Sequence, residues 1–169
     1  MLENVFAILG STPDKLRREL RDFRPGEMKR RPAPGKWSVQ EILAHLADVE
    51  QYGMRARVEP IVNEHRPVFE PFDQEKRALE LHYDRIDPRK SLASLASQRR
   101  ANLKWLRTLR PAQLRRVGVH RQVGEVSALD FLHEWAFHDL GHLKQILEVK
   151  RYALFPKMGN MQKFYHFGP

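Results

Sequence analysis

With 169 residues, 41% hydrophobic and 30% charged, the chain has the balance of an ordinary globular protein and enough length for one sizeable core. It contains no cysteine, which excludes disulfides, thiolate metal sites and a cysteine nucleophile, so any metal must sit on nitrogen and oxygen. A net charge of +9 raises the question of nucleic acid. However, Arg17, Arg18 and Arg21, then Lys29, Arg30 and Arg31, then Arg99 and Arg100, then Arg115 and Arg116 are scattered among acids and follow no recognition-helix or aromatic–basic pattern, which implies a solvated basic surface and no specific nucleic-acid partner.

In chain order, residues 2–23 open with Leu2, Val5, Phe6 and Leu9 at helical spacing, break near Gly10, and resume behind Ser11 and Thr12 with Pro13 at a first-turn position. One interrupted helix or two short ones is expected. Residues 24–36 carry Pro25, Gly26, Pro32, Pro34 and Gly35 and read as a loop. Ser38 with Glu41 three residues on forms a capping-box signature, starting a helix that runs toward Asn63 with Ile42, Leu46, Val49 and His45 on one side. Two prolines interrupt residues 65–73, and a short helix over about 73–83 follows.

From Pro88 to Leu109, Leu92, Leu95, Leu103, Leu106 and Leu109 with Trp105 keep helical spacing. Residues 118–124 form a turn-rich connector able to make a short extended pair. Ser127, with Asp130 as its capping partner, starts a final helix reaching about Tyr152, and the glycine- and proline-bearing remainder, with Pro156, Gly159 and Gly168, is a tail. No apolar run approaches the roughly 18 residues needed to cross a bilayer. The first residues lack a basic lead and an apolar signal core, so neither a membrane nor a secretory route is expected and the location expected is cytoplasmic.

Three or four long amphipathic helices without a convincing strand set imply an all-α helical bundle, in which metal and cofactor sites lie between facing helices. On the last helix Phe131, Trp135, His138, His142, Gln145 and Val149 follow steps of three and four and share one stripe. His138 and His142, four residues apart, lie one turn apart on one face and can offer two nitrogens to one ion, with His45 on another apolar stripe as the natural third. Imidazoles on apolar stripes need a partner, and a divalent metal (zinc, nickel, iron, cobalt or manganese) supplies one while leaving a position open for water. The alternative is that the pair is solvated or simply part of the core. His65, His82, His120, His133 and His166 read as surface residues.

The stretch WSVQEILAHLADVEQ, residues 37–51, followed some ninety residues later by HEWAFHDLGHLKQI, resembles the DinB/YfiT-like superfamily over most of the chain. The resemblance implies a four-helix bundle with left-handed twist and up-down-down-up order over residues 1–152. It leaves 153–169 as a tail, packed on the bundle or flexible. It also implies a metal held by His45, His138 and His142, a small-molecule substrate and a homodimer. Some members activate low-molecular-weight thiols in metal-dependent S-transfer, a chemistry in which a metal-bound thiol becomes a thiolate nucleophile. The alternatives are a metal-dependent hydrolase, in which the ion acidifies water, and a non-catalytic metal-binding or dimerising module.

Around the three histidines, Asp48 lies one turn from His45, Glu134 one turn before His138, and Asp139 beside it. Glu134 is a candidate further ligand, base or partner for an imidazole nitrogen, against the plainer reading of each acid as a solvent-facing charge. Gln145 can bond a metal-bound water or satisfy itself within the bundle. Trp37, Trp105 and Trp135 are expected in the core.

Overall fold

A computed structural model describes residues 2–24 and 26–167, leaving Met1, Pro25, Gly168 and Pro169 outside the described residues. The helices are α1 (Leu2–Glu19), α2 (Val39–Val49), a π-helical segment (Glu50–Arg55) that joins α2 to α3 (Ala56–Asn63), α4 (Gln74–Glu80), α5 (Pro88–Leu106), α6 (Pro111–Leu114) and α7 (Ala128–Leu154). The strands are β1 (Val68–Phe69), β2 (Val117–His120) and β3 (Gly124–Ser127). Four long helical units, α1, α2 with its π segment and α3, α5 and α7, make a four-helix bundle in which α1 and α2 each pack against both α5 and α7.

The helix starts follow the sequence. Ser38 Oγ accepts the Glu41 amide while Glu41 Oε2 takes the Ser38 amide at 2.8 Å, and Ser127 with Asp130 repeats the arrangement on α7. Each such box satisfies two otherwise orphaned donors and contributes on the order of 1 kcal/mol. Asp73 and Asp87 cap α4 and α5.

The expected break near Gly10 is absent, because α1 runs unbroken through Gly10 and Pro13. Proline lacks the amide hydrogen that would reach the Leu9 carbonyl four residues back. That acceptor is filled from another helix: Arg99 Nη1 donates to it at 2.7 Å. Thr12 Oγ1 and Ser11 Oγ both donate to the Ile8 carbonyl, at 2.9 and 3.0 Å, so polar residues that read as a turn are absorbed by the helix.

Strands also form where the helical pattern lapses. β2 and β3 pair antiparallel from Val117 opposite Ser127 to His120 opposite Gly124, and the Pro-rich insert adds β1 parallel to β2. At Gly118 a Cβ would lie 2.7 Å from the Phe69 ring and 3.0 Å from the Pro67 carbonyl, so the insert lies this close only because the residue is glycine. Among the described residues no helix is long and apolar enough to cross a membrane.

The core is split. One apolar cluster holds Val5, Leu9, Met54, Leu106, Phe131 and Trp135, and the other holds Leu16, Ile42, Leu46, Leu95, Ile146 and Val149. Each of the four helical units passes from one cluster to the other at the same level, where the buried residues are polar: Thr12 on α1, Glu50 after α2, Arg99 and Asn102 on α5, Asp139 and His142 on α7. Arg99 is the hub of this layer. Its guanidinium holds both oxygens of Glu50 at 2.8–2.9 Å and both of Asp139 at 2.6–3.0 Å. Asn102 and the Trp135 indole N–H each add a bond to Glu50 at 2.9 Å. Burial disfavours the charged guanidinium, yet Asp139 and Glu50 outweigh it and hold Arg99 above the ordinary arginine range.

Candidate metal centre

His45 comes from the middle of α2, and His138 and His142 from successive turns of α7. His45 is 1% exposed and His142 7%. The three rings converge. His138 Nε2 lies 3.1 Å from His45 Nε2 and 3.1 Å from His142 Nε2, and the three nitrogens lie within 4.8 Å of one another.

An imidazole nitrogen carries either one proton or one lone pair, so His138 Nε2 cannot satisfy both neighbours by hydrogen bonding. Two nitrogens bound tetrahedrally to one ion at about 2.0–2.1 Å would stand about 3.3 Å apart. The separations therefore fit lone pairs pointing at a shared cation better than a closed hydrogen-bonded set. His142 is fixed for that role: its Nδ1 faces Gln145 Oε1 at 2.8 Å, so Nδ1 carries the proton and Nε2 is left as the donor atom. Gln145 is thus the partner of the imidazole. The second nitrogens of His45 and His138, both Nδ1, are buried without a hydrogen-bond partner among the described residues.

Electrostatics keep the rings neutral, which is the form that ligates. Burial, then the neighbouring His142 and His138, push His45 down to about 2. Burial, then His142 and Arg99, push His138 down to about 3. Burial also lowers His142, opposed by the Gln145 bond and by Asp139.

The surrounding acids are engaged elsewhere. Asp48 receives Arg77 Nε and Nη2 and the Tyr83 hydroxyl, each at 2.6 Å, so it anchors α4 and the segment after it to α2. Asp139, expected to face solvent, is 1% exposed and holds Arg99. Glu134 is exposed and stays outside the group formed by His45, His138 and His142. His133, His65, His82 and His166 are exposed, while His120 is half-buried with its ring 5.8 Å from that of Phe69.

Aromatic side chains box His45: Trp37 at 5.0 Å between ring centroids, Phe72 at 6.2 Å and Tyr83 at 6.3 Å. Trp135 lies in the core as expected and Trp105 is half-buried under Arg55, but Trp37 stands between the core and a cleft. That cleft, 550 Å³ in volume, is lined by His142 and Gln145, by Trp37 and Ile42, by Gln74 and Glu75 of α4, and by His166 and Phe167 of the tail. The Pro-rich insert supplies Phe72 against His45, and the tail supplies Phe167 to the cleft wall. Phe167 is held by the rings of Tyr152 and Phe155, at 4.8 and 5.1 Å.

Comparison with known proteins agrees with this arrangement. The DinB superfamily profile matches residues 8–146. The chain is 28% identical over 115 residues to a protein of Oceanobacillus iheyensis, covering 68% of this chain and 66% of that one, slightly under two thirds of its length. It is 28% identical over 146 residues to YfiT of Bacillus subtilis, covering 85% and 81%. Both relatives are provisionally named metal-dependent hydrolases. The solved structure of Bacillus subtilis YfiT, described as an unusual four-helix bundle topology, superposes with a TM-score of 0.81 at 23% identity over 88% of this chain and 85% of that one. A mycothiol-dependent maleylpyruvate isomerase shares the fold with a TM-score of 0.65 at 15% identity, over 86% of this chain and 60% of that one. The chain belongs to the DinB superfamily.

Proposed function

We propose that the protein is a metal-dependent hydrolase acting on a small molecule bound in the cleft, with His45, His138 and His142 as the protein ligands of one divalent ion. The observation that carries this reading is the convergence of three neutral imidazole nitrogens, of which His142 also lines an open 550 Å³ cleft. That volume lies in the range of small-molecule sites. A centre with three nitrogen ligands and access from a cleft has the form of a reactive site rather than a closed structural one.

When bound, the ion supplies Lewis acidity and acidifies a water or thiol beside it. The protein supplies the rest. Gln145 fixes the tautomer of His142, Trp37, Phe72 and Tyr83 keep water from the back of His45, and Ile42, Val149 and Trp37 offer apolar surface to the substrate. Asp48 and Asp139 are each locked to an arginine, so neither is free as a base. The names borne by the relatives support hydrolysis over thiol transfer.

The test is to load the protein with zinc, nickel, cobalt, manganese or iron(II) and assay a panel of small amides, esters and phosphoesters with and without an added low-molecular-weight thiol. Metal-dependent turnover without thiol, lost in His142→Ala, is the expected result. Turnover that requires the thiol would replace hydrolysis with S-transfer.

A further inference from the structure

The cleft beside His142 carries an unbalanced set of charges. Two lysines line it, Lys36 next to Trp37 and Lys144 two residues beyond His142, and neither has a carboxylate within ion-pair distance among the described residues. Of the acids on the same walls, Glu148 holds Arg151 at 2.7 Å, whereas Glu75 is exposed and makes no ion pair among the described residues, because Arg31 is held by Glu41. Deeper in, Asp48 and Asp139 are neutralised by Arg77 and Arg99. The unpaired charge facing the cleft is therefore net positive, Lys36 and Lys144 against Glu75, and a divalent ion would add to it.

The same walls also carry aromatic and apolar side chains, Trp37, Val149, Tyr152 and Phe167. Positive charge in a cleft with low-dielectric walls concentrates anions and binds them by charge-assisted hydrogen bonds.

We propose that the substrate is a small molecule with an anionic oxygen group, a carboxylate or a phosphoryl group, held by Lys36 and Lys144 while an apolar or aromatic body lies against Trp37 and Phe167. This inference rests on reading the cleft as the substrate site. Its test separates it from the metal centre, because it is made on metal-free protein with three probes that share a ring: benzoate, phenylphosphonate and the neutral benzamide. Binding is followed by the indole resonance of Trp37.

Benzoate or phenylphosphonate should bind at least several-fold more tightly than benzamide, and whichever is stronger identifies the anionic group. Lys36→Gln and Lys144→Gln should each weaken the anion about 3- to 5-fold, as expected for partly solvated ion pairs, and the double variant about 10-fold, with benzamide unchanged. Because both lysines are exposed, these variants should fold like the parent. Equal binding of all three probes, or an anion preference that survives the double substitution, would overturn the proposal. Metal content measured on the same samples reports on the histidines separately: an anion preference in protein that takes up no metal supports this inference while contradicting the metal centre.

Discussion

Arg99 holds Asp139 through two hydrogen bonds of 2.6 and 3.0 Å, and Asp139 is the neighbour of His138 on α7. The same guanidinium holds Glu50, where α2 passes into the π segment, and the Leu9 carbonyl on α1. One side chain thus fixes the depth at which all four helical units meet, and the histidines sit at that depth.

Arg99→Leu should therefore destabilise the fold by about 3–5 kcal/mol, since it leaves two buried carboxylates without their partner. Urea denaturation measures this. Replacing Arg99, Glu50 and Asp139 together with apolar residues of similar volume should recover much of the loss, because it is the unpaired charges and not the missing bonds that dominate. A triple variant no more stable than Arg99→Leu would contradict that account.

Gly53 lies in the π segment where an added Cβ would come within 2.2 Å of Val49 Cγ2. Valine is stiff at χ1, so the clash cannot be relieved by a rotamer change alone. Gly53→Ala should cost about 1–3 kcal/mol by overpacking. With Val49→Ala added, the combined loss should be smaller than the sum of the two separate losses, a coupling that thermal melts of the four proteins would expose.

The interaction between Gln145 and His142 should matter to metal more than to folding. Gln145→Leu removes the acceptor that fixes the Nδ1 proton, and loss of such a partner typically weakens metal binding about 10- to 100-fold. Competition with a chelator of known affinity gives the shift. Gln145 is exposed, so the melting temperature of the metal-free variant should stay close to that of the parent.

Acid should destabilise the metal-free protein. His45 and His138 ionise near 6.5 when unfolded but only near 2 and 3 when folded. Below 6.5 the unfolded chain therefore binds more protons, and stability falls as pH drops toward 3 by about 1.4 kcal/mol per pH unit for each such histidine. Denaturation midpoints from pH 7 to pH 4 check the slope. His45→Ala should flatten it, because one of the three depressed histidines is gone.

Much of the bundle was legible because its signals are local: the capping residues Ser38 and Ser127, the apolar periodicity of α5 and α7, and the one-turn spacing of His138 and His142. The continuity of α1 was not, because the donor that satisfies the Leu9 carbonyl is Arg99, ninety residues away, and the sequence around Pro13 records only the missing hydrogen. For the same reason Arg99 read as one more surface base and Asp139 as a solvent-facing acid. Each is buried only because the other is there. Trp37 read as core because aromatic bulk alone does not say which side of a helix start faces a cleft, and the roles of Phe72 and Phe167 depend on how an insert and a tail fold back.

The most direct measurement is the metal affinity of His45→Ala beside His138→Ala, His142→Ala and the exposed control His133→Ala, with melting temperatures taken with and without metal. His45 lies 93 residues from His138, so it reports whether α2 and α7 converge on one ion. The parent should bind one ion per chain, and the first three variants should show a severe, similar loss of affinity. Those three should also lose the metal-dependent rise in melting temperature, while His133→Ala keeps it. His45→Ala binding metal as tightly as the parent would contradict the three-histidine centre.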